Sequence, residues 1–135
     1  MADLAPRDPG SLTSSERGSV SMLAAAVMLM VVVMALATSD VARALSAVSR
    51  AQSAADAAAL AAAQEMVEPT GESPAAAAAR FAEANGAQLA GCDCPPGGTE
   101  AVATVRVEIT GLLFLRSGRV TTAMARAVID LPGTA

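Results

Sequence analysis

Tryptophan, tyrosine, histidine and lysine are all missing from this chain of 135 residues, and phenylalanine occurs twice, at Phe81 and Phe114. Without histidine, the commonest metal ligand and general base is gone. Without large aromatics, a core has to be built from small aliphatic side chains, and alanine supplies much of the 53% hydrophobic content. Such a core buries little area per residue, so at ~25 cal/mol per Å² it stabilises weakly. The expectation is a thin domain that leans on a membrane or on partner subunits. The nine cations are all arginine, scattered at Arg7, Arg17, Arg43, Arg50, Arg80, Arg106, Arg116, Arg119 and Arg126, and the net charge is −4. No basic patch points to nucleic acid.

Cysteine is confined to Cys92 and Cys94. The C-x-C spacing is not the usual zinc spacing and no second ligand pair exists, so no metal is expected. Two cysteines this close bridge only with strain. If the segment lies outside the cytoplasm, a Cys92–Cys94 disulfide and a bond to another chain are both open, and so is a pair of loop thiols without a catalytic role. There is no nucleophile–base pair, no carboxylate dyad in a supporting context and no Gly-rich phosphate loop, so no catalytic residue and no cofactor are expected. Asp56 is the one acid that stands out, and its plain reading is a solvated or partner-facing helix residue.

Charge is also missing from Gly18 to Ser39 (GSVSMLAAAVMLMVVVMALATS), bounded by Arg17 and Asp40. At about 1.5 Å of rise per residue, a helix over residues 18–39 is roughly 33 Å long. That is enough to cross a hydrocarbon core of ~30 Å. Three readings fit the stretch. It is a transmembrane or pilin-type anchor, a cleaved secretory signal with an A-x-A site at Ala35-Leu36-Ala37, or a buried helix of a soluble domain. Its length exceeds an h-region of ~7–15 residues. A chain this short shows no second layer to cover a helix that is apolar on all sides. The anchor is therefore the favoured reading.

Residues 1 to about 14 are polar and read as a disordered tail, which the domain division extends to residue 17. Thr13-Ser14-Ser15-Glu16 has capping-box spacing just ahead of the apolar run. From Asp40 no Gly or Pro occurs until Pro69, so the helix is expected to continue over 40–68. Val41, Leu45, Val48, Gln52, Ala55, Ala59, Ala62 and Met66 recur at spacings of four and three, a narrow seam on one face. Val41, Leu45, Val48, Ala55, Ala59 and Ala62 are the candidate packing residues. They serve either an ordinary amphipathic helix against its own domain or a bundle of like helices. Asp40 and Arg43 are spaced to pair along the helix.

Pro69-Thr70-Gly71 ends the long helix. Ser73 as N-cap and Pro74 at the first helical position start a short one, which stops at Asn85-Gly86. Phe81 is its one large apolar residue and the expected anchor onto the following sheet. Cys92 to Gly98 reads as a loop. Ala103, Val105, Val107 and Ile109 alternate with polar residues as a strand. Gly111 to Leu115 is apolar and reads as a hairpin connection or an exposed hydrophobic tip. Arg119 to Leu131 reads as a second strand, with Thr121, Ala123, Ala125, Ala127 and Ile129 on one face. The expected fold class is therefore α+β. A long N-terminal transmembrane helix (18–39) continues into an Ala-rich helix (40–68), followed by a head of a short helix and a small antiparallel β-hairpin (69–135).

Glu16-Arg17-Gly18-Ser19, the apolar span, Arg50-Ala51-Gln52-Ser53-Ala54-Ala55-Asp56 running on to Ala63, Ala84-Asn85-Gly86 and a loop containing Cys92 follow one another in order. Together they resemble TadE/TadG-type pseudopilins, especially the short actinobacterial TadE-like proteins encoded near helicase and secretion genes. The resemblance covers roughly residues 16–130 and implies a pilin-like fold. It also implies a role in a tight-adherence (Flp-type) pilus or a related secretion system, with other pilin-like or secretion-system subunits as partners through the long helix. The N-terminus would be cytoplasmic and the head outside the cell membrane, whereas the arginines on both sides of the span leave positive-inside reasoning ambiguous. Prepilins of this kind are cut after a Gly and carry Glu at the fifth mature position. Gly18 and Ser19 are the candidate processing pair, and Leu23 stands where the Glu would be. Relatives carry a Cys near the start of the short helix, where this chain has Ser73-Pro74, and Cys94 appears instead.

Two functions from different classes follow. One is a membrane-anchored structural component whose small-residue seam lets helices approach closely. The other is a secreted binding module released by cleavage after Ala37.

Overall fold

The computed structural model describes residues 14–114 and 118–130. The polar residues 1–13, Leu115, the Arg116-Ser117 boundary and the Pro132-Gly133 stop lie outside the described residues, so the capping box loses its Thr13 to the same limit. Five elements occur in order: α1 (Ser14–Val67), α2 (Pro74–Ala84), β1 (Gln88–Asp93), β2 (Glu100–Ile109) and β3 (Arg119–Val128). The chain divides between Thr38 and Ser39 into two units. The first carries the apolar part of α1, and the second holds the rest of α1, α2 and the sheet.

Helix α1 runs unbroken because neither Pro nor Gly interrupts it after Gly18, and alanine and the straight-chain residues favour it. Pro69 ends it, since its ring has no N–H to continue the ladder. Glu65 secures the stop, accepting from the Thr70 backbone N–H at 2.9 Å and the Thr70 hydroxyl at 2.8 Å. Helix α2 starts as its sequence suggests. The Ser73 hydroxyl accepts from the Ala76 N–H at 3.2 Å and Pro74 takes the first helical position. Asn85 caps its end, and Gly86 leaves it at a φ of +73°. Its buried residues are Ala77, Ala78 and Ala82. Phe81 is exposed and stacks under the Arg80 guanidinium, 4.8 Å from the ring centroid. The short helix thus docks through alanine and not through its aromatic residue.

The fold is α+β, with a sheet one strand richer than the expected hairpin. Its order is β1-β2-β3, antiparallel throughout. Strand β1 (QLAGCD) takes in Cys92 and Asp93, which composition alone places in a loop. The strand has no clean alternation because its register slips between Leu89 and Gly91. A bulge of this kind erases the period-2 pattern from which a strand is read. Strands β2 and β3 do alternate. Ala101, Ala103, Val105 and Val107 are buried on one face, and Ala123, Ala125, Ala127 and Ile129 pack against the same core.

The core is made of alanine from both layers. Ala47, Ala51, Ala54, Ala55, Ala58, Ala59, Ala62 and Ala63 of α1 cluster with Ala78 and Ala82 of α2 and with Ala101, Ala103, Val105 and Val107 of β2. Among fully buried side chains the largest are Val105 and Asp40. A core with one fully buried valine gains little from each residue, so its stability depends on the length of the contact.

Candidate functional site

Every side chain from Val20 to Ser39, the described side chains of the first unit and the residue that follows it, is exposed. They are almost all apolar and carry no charge, and this is the one helix among the described residues long and apolar enough to cross a membrane. Thr38 keeps its hydroxyl satisfied by donating to the Ala35 carbonyl at 2.9 Å, so even this polar side chain does not interrupt the surface. Gly18 and Ser19 lie inside α1, in its opening turns. Leu23, at the place of the expected pilin glutamate, is exposed on the same apolar surface.

In the second unit, the structure divides the expected seam. Val41, Leu45 and Val48 are exposed, whereas Ala55, Ala59 and Ala62 are buried in the head's own core. The stripe that α1 turns inward is Asp40, Ala44, Ala47, Ala51, Ala54, Ala58, Ala61 and Glu65, half-buried at Ala44 and buried elsewhere. It repeats at the same spacings of four and three, one residue ahead of the stripe drawn through the large side chains. Ala55, Ala59 and Ala62 widen it to the breadth usual for a helix against a domain.

The inward stripe opens and closes on an acid. At its start, Asp40 is 2% exposed. Its carboxylate accepts from the Leu113 backbone N–H at 3.0 Å through both oxygens and from the Phe114 N–H at 2.7 Å. One turn along, the Arg43 guanidinium donates to the Gly111 carbonyl. The two side chains expected to pair along the helix instead share a target, the β2–β3 loop. A sequence signal did exist: an acid placed where a charge-free run ends, with Arg three residues on, and a far loop of Gly and large apolar residues. At the other end, the Glu65 carboxyl is held below its ordinary pKa, first by the Thr70 backbone donor, then by the Thr70 hydroxyl, with burial opposing and Arg80 assisting. Arg80 pairs with Glu72 at 2.9 Å, which raises its own pKa.

Cys92 and Cys94 are joined as a disulfide, with Cα atoms 5.5 Å apart. Both are half-buried against the core. Asp56 is exposed and accepts from the Gln52 side-chain amide at 3.3 Å, one turn back on α1. Among the described residues no group of three or more His, Cys, Asp or Glu side chains converges on a point that could hold a metal ion.

Residues 18–65 match the family model for Tad, described as Flp pilus-assembly TadE/G-like. Over these residues the chain is similar to TadE/G-like proteins. The match takes in the apolar run, the exposed Val41, Leu45 and Val48 and the whole inward alanine stripe, and it ends at the Glu65 that closes α1. The TadE/G-like segment is therefore a helix whose N-terminal part suits a bilayer and whose C-terminal part is a platform for a sheet. No curated protein and no solved structure matches the chain.

Proposed function

We propose that this protein is a single-span, membrane-anchored and non-catalytic component of a tight-adherence (Flp-type) pilus or a related secretion system, of the minor pseudopilin-like or accessory class. The observation that carries the reading is the coincidence, over the same residues, of the TadE/G-like match with a helix that is charge-free and exposed from Val20 to Ser39. A protein dissolved in water does not leave such a length of valine, leucine and methionine uncovered. In a bilayer the same surface is matched to its solvent.

The partners in this reading are other pilin-like or secretion-system subunits, met through the long helix. Of the seam residues, Val41, Leu45 and Val48 remain exposed for that contact. The N-terminus is cytoplasmic and the head extracytoplasmic, by family resemblance.

The test is extraction of the protein from native membranes, followed by intact mass, N-terminal sequence and identification of co-extracted proteins. Pilin-like or secretion-system subunits are expected to accompany it. A start at Ser19 assigns prepilin-type processing and the pseudopilin class despite Leu23. An unprocessed span assigns an accessory protein. A start at Thr38, with the protein in the medium, overturns the anchor in favour of a secreted module.

A further inference from the structure

The β2–β3 loop has no part in the reading so far, yet it combines three features that rarely occur together. It contains an apolar stretch, Gly111-Leu112-Leu113-Phe114. Leu112 is buried, but Leu113 and Phe114 are 63% and 58% exposed. The loop is also tightly held. The Asp40 carboxylate takes the N–H groups of Leu113 and Phe114, and Arg43 holds the Gly111 carbonyl.

The place of the tether decides what the loop meets. Asp40 directly follows Ser39, the last residue of the charge-free run. On the anchored reading, it is the first charged residue to leave the hydrocarbon on the head's side. An ionised carboxylate at that depth is expensive unless it is paired and shielded. Here it is withdrawn from its surroundings and bonded to two backbone donors. The same bonds lower a second cost. An irregular loop is costly in an apolar medium when its backbone donors are unsatisfied, and the clasp gives an acceptor to the N–H groups of the two residues whose side chains are exposed.

We propose that Leu113 and Phe114 insert into the membrane interface on the head's side of the bilayer, held by Asp40, as a lipid contact of the head in addition to the span. The inference rests on the membrane-anchored reading of residues 18–39. The occupant of the apolar tip is a lipid surface and not a protein, because the tip is tied to the helix residue where the apolar span ends. The depth required is the ~5–10 Å of the headgroup–acyl boundary, where amphipathic elements lodge their apolar side chains.

The absence of tryptophan makes the test direct, since any introduced tryptophan is the sole indole emitter. Phe114→Trp, Met30→Trp and Met124→Trp are prepared in the full chain and reconstituted in phosphatidylcholine vesicles, with and without lipids brominated near the top of the acyl chain. Met30 lies in the span, and Met124 is exposed on the outer face of β3. Emission from Phe114→Trp is expected to shift to the blue of Met124→Trp and to be quenched by the brominated lipid, while Met124→Trp is not. If Phe114→Trp behaves like Met124→Trp while Met30→Trp is blue-shifted and shielded from aqueous iodide, the inserted tip is wrong and the anchor stands. If Met30→Trp is open to iodide, the anchor fails and the inserted tip fails with it. Adding Asp40→Ala to Phe114→Trp is expected to weaken the quenching, with far-UV circular dichroism confirming a folded head. Unchanged quenching would remove Asp40 from the proposal.

Discussion

Removing the Asp40 carboxylate leaves the backbone donors of Leu113 and Phe114 without the acceptor that now holds them. An unsatisfied buried donor costs about 1–3 kcal/mol. Asp40→Ala is therefore expected to destabilise the head by roughly that amount, and Asp40→Asn, which keeps one carbonyl oxygen, by less. With neither Trp nor Tyr to report on packing, thermal unfolding in detergent followed by far-UV circular dichroism is the measurement. Glu65 gives a second prediction at this scale. Its folded pKa lies below the ordinary value, so its contribution is fully present above the unfolded value of about 4.3 and is lost as pH falls through the folded one. The melting temperature should therefore fall on acidification below about pH 4.3. Thr70→Val, which deletes one of the two donors, should make that dependence shallower. A steeper dependence in the variant would contradict the assignment. For Asp40 the sequence marked the acid at the end of the charge-free run but not its partner, because each clasp depends on a partner brought in by tertiary structure or by a turn.

Among the elements, α1 shows where a sequence pattern has the right period and an ambiguous phase. Spacings of four and three were visible along Val41, Leu45 and Val48, and the same spacings, one residue earlier, describe the buried stripe. Following the large side chains traces the edge of the buried stripe, exposed at Val41, Leu45 and Val48 and buried at Ala55, Ala59 and Ala62, since small residues are what let two layers meet. The same physics explains Phe81, the largest side chain of α2 and yet exposed. Strands β2 and β3 were legible because every second residue faces the core, whereas the slip in β1 hid a strand that holds Cys92. Overpacking tests the phase. Ala58→Leu puts bulk into the alanine core and is expected to cost about 1–3 kcal/mol. Leu45→Ala, on the exposed face, should change head stability by no more than about 0.5 kcal/mol. If Leu45 packs on a neighbouring subunit, that variant instead lowers the yield of co-extracted partners. Equal losses of stability in the two variants would mean that the buried stripe has been placed on the wrong face.

For the whole molecule, the proposed orientation carries the head outside the cytoplasm, and the head's own chemistry offers a reporter. The arginines do not settle it, with Arg17 before the span and Arg43 and Arg50 after it. The cysteines do better. Disulfides persist outside the cytoplasm and are reduced within it. The two cysteines are the only ones in the chain, and the structure joins them to each other, so the state of one bond reports the compartment of the whole head. With the head outside, protein trapped from native membranes by a thiol-reactive maleimide should stay unlabelled until a reductant is added, after which two labels bind. Labelling of both thiols before reduction would place the head on the reducing side. A dimer that a reductant dissolves would mean that the cysteines bridge two chains. Because the bond closes a very short loop, the entropic gain of about 1.5 kcal/mol is small beside that of a long-loop disulfide. Cys92→Ala with Cys94→Ala should therefore leave the head folded and inserted, with a lower melting temperature. An unfolded head in that variant would show that the bond, and not the long alanine contact, holds the three strands on α1.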